Sequence, residues 1–114
     1  MNVSPEAQRL VLQIQNLQQQ AQLVVAQKES LNAQKEEVKR ALEELGKSGD
    51  EVYKAVGPVL VRTEKKKLET ELRERLETIE LRLKTFGSQE EKILRNLKEK
   101  QQKLESIIRG GGEK

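Results

Sequence analysis

The chain has 114 residues, of which 36% are charged and only 2% are aromatic, and its formal net charge is +3. It contains no cysteine, histidine or tryptophan. Aromatic side chains normally supply much of the buried area of a compact core, so this composition argues against a globular core and favours a thin aliphatic seam between helices. No stretch approaches the roughly 20 apolar residues that a membrane helix needs, and residues 1–10 lack a secretory signal pattern. Acidic and basic residues are interleaved, so we expect a cytoplasmic protein that binds neither nucleic acid nor membrane.

The first predicted element is a long helix over residues 5–46. Ser4 is a suitable N-cap, Pro5 suits the first helical position, and Glu6 favours the positive end of the helix. Apolar residues recur every seven positions in two interleaved series, as the a and d positions of a coiled coil do. Gly46 is predicted to end the helix in a left-handed C-cap. The two series are Leu10, Leu17, Val24, Leu31, Val38 and Leu45, and Ala7, Ile14, Ala21, Lys28, Lys35 and Leu42.

Residues 52–63 are predicted to form a β-hairpin. β-Branched and aromatic residues stand on both sides of Gly57-Pro58, which is a turn signal. An isolated two-stranded hairpin is marginally stable in water, its edges are open to further strands, and the apolar run Val59–Val61 needs cover on both faces. We therefore expect the hairpins of several chains to join in a common sheet or barrel. The alternative is a hydrophobic loop tucked against the end of its own coiled coil.

A second helix is predicted over residues 64–109, with Thr63 as its N-cap. Gly87-Ser88 is a weak point, since glycine costs about 1 kcal/mol relative to alanine in a helix, but the seven-residue spacing continues across it and allows at most a bend. Residues 110–114 are expected to be a disordered tail. The two series of this helix are Leu72, Ile79, Phe86, Ile93, Lys100 and Ile107, and Leu76, Leu83, Glu90, Leu97 and Leu104.

The two heptad patterns are complementary when the helices run antiparallel. Seam positions whose residue numbers add to 114 then face one another, which pairs Leu17 with Leu97 and, near the turn, Leu42 with Leu72. Lys28 falls opposite an apolar residue in this register, and we expect its stem to lie along the seam with the ammonium in water. A parallel dimer of continuous helices is excluded by the glycines and the proline at the centre of the chain. The predicted fold is therefore mainly α, a long antiparallel two-helix coiled coil joined by one β-hairpin, in a single unit over residues 1–114.

The hairpin motif resembles the β class of the prefoldin family of chaperones. The specific part is Tyr53 to Thr63, above all Gly57–Val61, whereas the coiled coil alone would fit many families. The resemblance implies that two α-type and four β-type subunits join their hairpins into a β-barrel platform, forming a hetero-hexamer. It also implies an ATP-independent chaperone whose coiled-coil tips hold unfolded client proteins and pass them to a group II chaperonin. The residues assigned to subunit assembly are Val52, Tyr53, Val56, Val59, Leu60 and Val61.

One flank of the predicted coiled coil is apolar only towards the chain ends. The e positions there are Val11, Val25, Leu94 and Ile108, and no charged residue occurs between Arg9 and Lys28. Exposed apolar groups suit weak capture of unfolded chains. For Val11 and Val25 the alternative is that they widen the seam or pack against a neighbouring coiled coil. The residues assigned to client binding are Leu10, Val11, Ile14, Leu94, Leu104, Ile107 and Ile108.

No residue pattern points to catalysis. There is no phosphate-binding loop, and without histidine and cysteine no metal site is indicated. The run Lys65–Lys67 is interpreted as a solvated helix start. We expect no enzyme activity, no cofactor and no metal. The alternative function is a coiled-coil scaffold or spacer that assembles through its hairpin without binding unfolded proteins.

Overall fold

A computed structural model describes residues 4–110. It contains helix α1 (Pro5–Lys47), strands β1 (Glu51–Val56) and β2 (Val59–Glu64), and helix α2 (Lys65–Arg109). The predicted fold of two long helices joined by one antiparallel hairpin is confirmed. Most of the predicted tail, residues 111–114, lies outside the described residues, whereas the amide of Gly110 still donates a hydrogen bond of 2.8 Å to the carbonyl of Ser106. Within residues 4–110, no helix is long and apolar enough to cross a membrane.

The chain divides into two compact units. The terminal unit combines residues 4–28 with residues 85–110, and the central unit comprises residues 29–84, with the hairpin at its middle. Each unit contains one segment of α1 and one of α2.

The two helices begin differently. Ser4 caps α1 as predicted, because its Oγ accepts a hydrogen bond of 3.1 Å from the backbone N–H of Ala7. Thr63, the predicted cap of α2, instead belongs to β2 and pairs with Val52. The β-ladder therefore includes Thr63 and Glu64, which were expected to begin α2. Lys65 is the first helical residue.

The end of α1 also differs from the prediction. The helix continues through Gly46 to Lys47, and among the described residues only Gly57 has a positive φ angle, so no left-handed cap forms at Gly46. Ser48 closes the helix instead: its N–H and its hydroxyl both donate to the carbonyl of Leu45, over 3.2 and 2.8 Å. Lys65 Nζ then donates to the Ser48 carbonyl over 2.8 Å. Side chains satisfy the terminal carbonyls here, so a glycine cap is not required.

The hairpin turns tightly at Gly57-Pro58. The ladder runs from Glu51↔Glu64 to Val56↔Val59, which leaves a two-residue loop. Gly57 has a φ of 58°, and proline fixes a negative φ at the second loop position. A positive followed by a negative φ is the arrangement of a type II′ turn, whose twist matches that of the flanking strands.

Both units bury the seam that the seven-residue spacing predicts. In α1 every residue of the Leu10 series is buried, and the seam positions of α2 are buried or half-buried. Among the described residues no charged side chain is buried. The buried side chains are Ala7, Leu10, Ile14, Leu17 and Val24 in the terminal unit, and Leu31, Val38, Leu45, Val52 and Ile79 in the central unit.

The polar seam residues of the terminal unit differ from the prediction. The ammonium of Lys28 is not left in water but lies 2.8 Å from Glu90 Oε1, and the two side chains are 31% and 22% exposed. A second ion pair joins Glu6 and Lys103 at 3.7 Å. The residue numbers of these pairs add to 118 and 109, on either side of the predicted 114. The antiparallel register therefore holds in this unit, and the long side chain of Lys28 reaches diagonally to the next seam position.

Helix α2 is continuous through Gly87-Ser88. A Cβ atom placed on Gly87 would meet no other atom within 4 Å. Packing therefore does not require glycine at this position.

Candidate functional site

The hairpin carries an uncovered apolar surface. We call its five large apolar residues that are exposed the hairpin surface, namely Tyr53, Val56, Val59, Leu60 and Val61. They are between 46% and 71% exposed, Leu60 the most. Because the side chains of directly paired residues lie on the same face of a ladder, the register assigns them to both faces. Val56, Val59 and Val61 lie on one face, and Tyr53 and Leu60 lie on the other. Neither face is covered by the chain itself.

Val52 is the exception among the residues assigned to assembly. It lies on the same face as Val56, yet it is only 7% exposed. It lines a shallow cavity together with Leu45, Leu68 and Leu72 of the two helices. Val52 thus anchors the base of the hairpin on the seam of its own chain, and the rest of the hairpin is left open.

Polar contacts fix the hairpin at its base. Lys54 Nζ lies 2.8 Å from Glu71 Oε2 of α2, and the hydroxyl of Tyr53 donates to Glu51 Oε1 over 2.9 Å. The hydrogen bond and the positive charge of Lys54 lower the pKa of Glu71, because both favour the ionised carboxylate. The hairpin is therefore attached to α2 by an ion pair on the same face as the Val52 anchor.

The residues assigned to client binding fall into three groups in the structure. Leu10 and Ile14 are buried in the seam, and Leu104 and Ile107 are half-buried. Val11, Leu94 and Ile108 are exposed. With Val25 they form what we call the terminal flank, that is Val11, Val25, Leu94 and Ile108, with exposed fractions from 38% to 62%.

Sequence reasoning missed three exposed leucines. Leu12 and Leu23 of the terminal unit and Leu81 of the central unit are each about two-thirds exposed. They occupy positions on the outer sides of the helices, which belong neither to the seam nor to the flank. An apolar residue at an outward heptad position is the signal that would have identified them.

Within residues 4–110, no group of three or more His, Cys, Asp or Glu side chains is placed to hold a metal ion. In the run Lys65–Lys67, Lys65 donates to a backbone carbonyl, which agrees with a structural interpretation of this run. The expectation that the chain is not an enzyme stays a prediction.

Comparisons with known proteins agree on one family. The family model described as prefoldin subunit matches residues 8–110. Proteins named prefoldin subunit beta are similar over part of the chain: that of Pyrococcus horikoshii is 44% identical over 57 residues, which are 50% of this chain and 49% of the relative. That of Archaeoglobus fulgidus is 46% identical over 56 residues, 49% of this chain and 48% of the relative. The matched region thus spans about half the length of these curated relatives. The crystal structure of the prefoldin beta subunit from Thermococcus strain KS-1 is similar with a TM-score of 0.88 and 40% identity, over 95% of this chain and 96% of that one.

Proposed function

Because the chain belongs to the prefoldin family, we propose that it is the β-type subunit of a cytoplasmic chaperone that holds non-native proteins without ATP. In this proposal the chaperone passes its clients to a group II chaperonin. The observation that carries the proposal is the hairpin surface, where five apolar side chains on two faces of one ladder remain in water.

The hairpin surface supports assembly with other subunits. Fully burying an aliphatic side chain contributes about 1.5–3 kcal/mol, so covering five side chains that are about half exposed contributes several kcal/mol per subunit. The two-stranded ladder also has two open edges, and open edges pair with further strands. We infer that α-type subunits and further β-type copies supply this cover in a β-barrel platform, with two α-type and four β-type chains.

The terminal flank supports the holding of clients. Its four apolar side chains are spread over two helices and are only partly exposed, so a single contact with an unfolded chain is weak and tolerant of sequence. Several copies on one platform bind the same client together and raise the overall affinity. Weak individual contacts also allow the client to leave when the chaperonin accepts it.

Assembly is tested by placing a charge in the hairpin surface. The Leu60→Glu variant and the unaltered chain are each mixed with an α-type prefoldin subunit, and the mass of the complex is measured by light scattering. We expect a hexamer with the unaltered chain and none with the variant. The matched control is Leu23→Glu, since Leu23 is 66% exposed against 71% for Leu60 but lies outside the hairpin; this variant should assemble. A hexamer with Leu60→Glu would contradict the proposed platform.

Client holding is tested on the assembled complex. A denatured enzyme is diluted into it without ATP, and aggregation is followed by turbidity. We expect protection that falls in the Ile108→Ser variant, with Leu81→Ser as control because the two side chains are 62% and 64% exposed and Leu81 belongs to the central unit. Addition of a group II chaperonin should then release the client. Assembly without protection would contradict the chaperone proposal and favour a structural scaffold.

A further inference from the structure

The hairpin offers a row of unpaired backbone groups at each of its two outer edges. Val56 and Val59 flank the two-residue loop, and the pair that closes such a loop exchanges both of its backbone hydrogen bonds. Counting from that pair, inward and outward backbone groups alternate along each strand. The residues whose N–H and C=O groups point outward form what we call the β1 edge, Glu51, Tyr53 and Ala55, and the β2 edge, Leu60, Arg62 and Glu64.

The side chains of both edges lie on one face of the ladder. Directly paired residues share a face, and the two edges consist of three such pairs. A strand that joins either edge therefore brings its own side chains against this face.

The charges of the edges are not satisfied within one hairpin. Glu51 and Glu64 are paired directly across the ladder, and like charges in that position are unfavourable. Arg62 is exposed and forms no ion pair within residues 4–110. Glu51 lies on the diagonal from Arg62 in the same hairpin, and diagonal neighbours are about 7–8 Å apart, whereas directly opposite residues are about 4.5–5.5 Å apart. A carboxylate directly opposite Arg62 must therefore come from a second chain.

A second copy of the chain supplies that carboxylate in one register only. When the β1 edge of one copy runs antiparallel to the β2 edge of another, outward residues meet outward residues, so the possible registers differ by two residues. The register of the hairpin itself would place Glu51 opposite Glu64 of the second copy. A shift of two residues in one direction places Arg62 opposite Ala55, and a shift in the other direction places Arg62 opposite Glu51.

The register that pairs Arg62 with Glu51 also suits the neighbouring residues. It places Leu60 opposite Tyr53 of the second copy, and aromatic with aliphatic cross-strand pairs are favourable. Glu64 falls beyond the end of β1 and faces no carboxylate. The hydroxyl of Tyr53 donates to Glu51 Oε1 over 2.9 Å, which holds this carboxylate at the edge. A stagger between neighbouring hairpins is also what closure of a sheet into a barrel requires.

We propose that copies of this chain join through unlike edges, with the β2 edge of one hairpin antiparallel to the β1 edge of the next and Arg62 opposite Glu51. This inference rests on the proposed function, because it names the partner and the register of the hairpin surface. Unlike edges give a head-to-tail contact that repeats from copy to copy until a ring closes, and all hairpins then point the same way. Like edges would give a two-fold pair in which the hairpins point in opposite directions and one edge of each stays open.

The test uses the full chain without an α-type partner and two charge reversals, Glu51→Arg and Arg62→Glu. Each variant places like charges opposite one another in every contact between copies. We expect each to raise the concentration at which the assembly dissociates about tenfold per contact. Light scattering over a dilution series measures this concentration, and circular dichroism shows that the helices are retained.

An equal mixture of the two variants distinguishes the proposed pair from a general effect of charge. In a ring in which the variants alternate, every contact again joins an arginine and a glutamate, so the mixture should dissociate at the concentration of the unaltered chain. The double variant Glu51→Arg/Arg62→Glu should do so as well. The matched controls are Glu74→Arg and Arg75→Glu, which make the same charge changes at exposed positions of α2; alone or mixed, they should associate as the unaltered chain does.

The possible outcomes separate the two proposals. Absence of recovery on mixing, an effect of Arg62→Glu alone, or equal effects of the control variants overturns the proposed pairing, and so does a chain that stays monomeric without its α-type partner. Protection of a denatured enzyme by the complex of the unaltered chain with that partner then shows that the chaperone proposal still holds. Absence of protection and of any assembly contradicts both proposals.

Discussion

The ion pair between Lys28 and Glu90 gives a quantitative test of how the seam of the terminal unit is specified. At 2.8 Å, two unit charges attract by about 1.5 kcal/mol in water and about 6 kcal/mol at an effective dielectric constant of about 20. Desolvation of both groups offsets much of this attraction. Exposed pairs contribute at most about 1 kcal/mol, and breaking a fully buried pair costs about 3–5 kcal/mol. With side chains 31% and 22% exposed, this pair falls between the two cases.

We therefore expect each single replacement, Lys28→Met or Glu90→Leu, to lower the free energy of unfolding by about 1.5–2 kcal/mol, since each leaves a half-buried charge without its partner. The double replacement should restore most of the stability, because two apolar side chains extend the seam. The expected coupling energy, which is the sum of the two single effects less the small cost of the double replacement, is about 3 kcal/mol. An exposed pair, Lys47 with Glu43 at 3.8 Å, is the control, with a coupling of about 0.5 kcal/mol or less.

The assay is urea unfolding followed by circular dichroism at one protein concentration, because assembly makes the measured stability depend on concentration. Register is measured separately with a short bifunctional crosslinker. The chain has no cysteine, so cysteines placed at Leu17 and Leu97, which face one another in the predicted register, are the only thiols. Polar residues in a seam fix register at a cost in stability, so the yield of this crosslink should fall in the double variant even though its stability recovers.

Two results would refute the reasoning. If the effects of the two single replacements simply add in the double variant, the charges are not coupled and the pair contributes nothing to the seam. If the double variant retains both stability and full crosslinking, the apolar seam residues alone specify the register.

Three further predictions concern the hairpin and α2. Gly57→Ala should weaken the hairpin by about 1–2 kcal/mol, because alanine is strained at positive φ, and should raise the concentration at which the assembly dissociates in light scattering; unchanged assembly would contradict a role for the turn. Gly87→Ala should raise the free energy of unfolding by about 1 kcal/mol, since the added methyl group enters open space, and a decrease in urea unfolding would show that α2 requires glycine there. The third prediction is a pH dependence: Lys54 lowers the pKa of Glu71 in the folded chain, so this carboxylate stabilises the hairpin above the pKa of an unfolded glutamate, near about 4.3, and its contribution is lost as the pH falls through the lower folded value. Fluorescence of Tyr53, the single tyrosine, should follow this loss in the unaltered chain and not in Glu71→Gln, and identical acid titrations of the two chains would exclude the effect.

The sequence was sufficient for the elements and for the seam because both depend on local rules. A seven-residue repeat fixes which side of each helix is apolar, and the burial of Leu10, Leu31 and Ile79 follows directly from it. The hairpin was equally readable, since Gly57 supplies the positive φ that a two-residue turn needs. Family membership followed from the same short motif.

The sequence was insufficient to predict contacts between side chains and residues outside their own heptad position or element. The heptad register placed Lys28 opposite an apolar residue, but its four-carbon stem extends to the next seam position and finds Glu90. At the end of α1, a cap at Gly46 was expected to satisfy the last carbonyls of the helix. Instead, the hydroxyl of Ser48 donates to the carbonyl of Leu45, and the ammonium of Lys65 donates to the carbonyl of Ser48. Val52 likewise could not be separated from the exposed hairpin residues, because its burial depends on where the helix ends lie.

The hairpin surface has more exposed apolar side chains per length of chain than the terminal flank has. This difference supports different roles for the two surfaces. The hairpin surface places five exposed apolar side chains within residues 53–61 on a rigid ladder, so one partner strand can cover several of them at once while losing little conformational freedom. The terminal flank spreads four less exposed side chains over two helices, and each contact there must offset the ordering of a flexible client residue, which costs about 1–2 kcal/mol for the backbone alone. Burial at the hairpin therefore offsets more of the cost of association than burial at the flank does, which supports the proposed division between assembly and client holding.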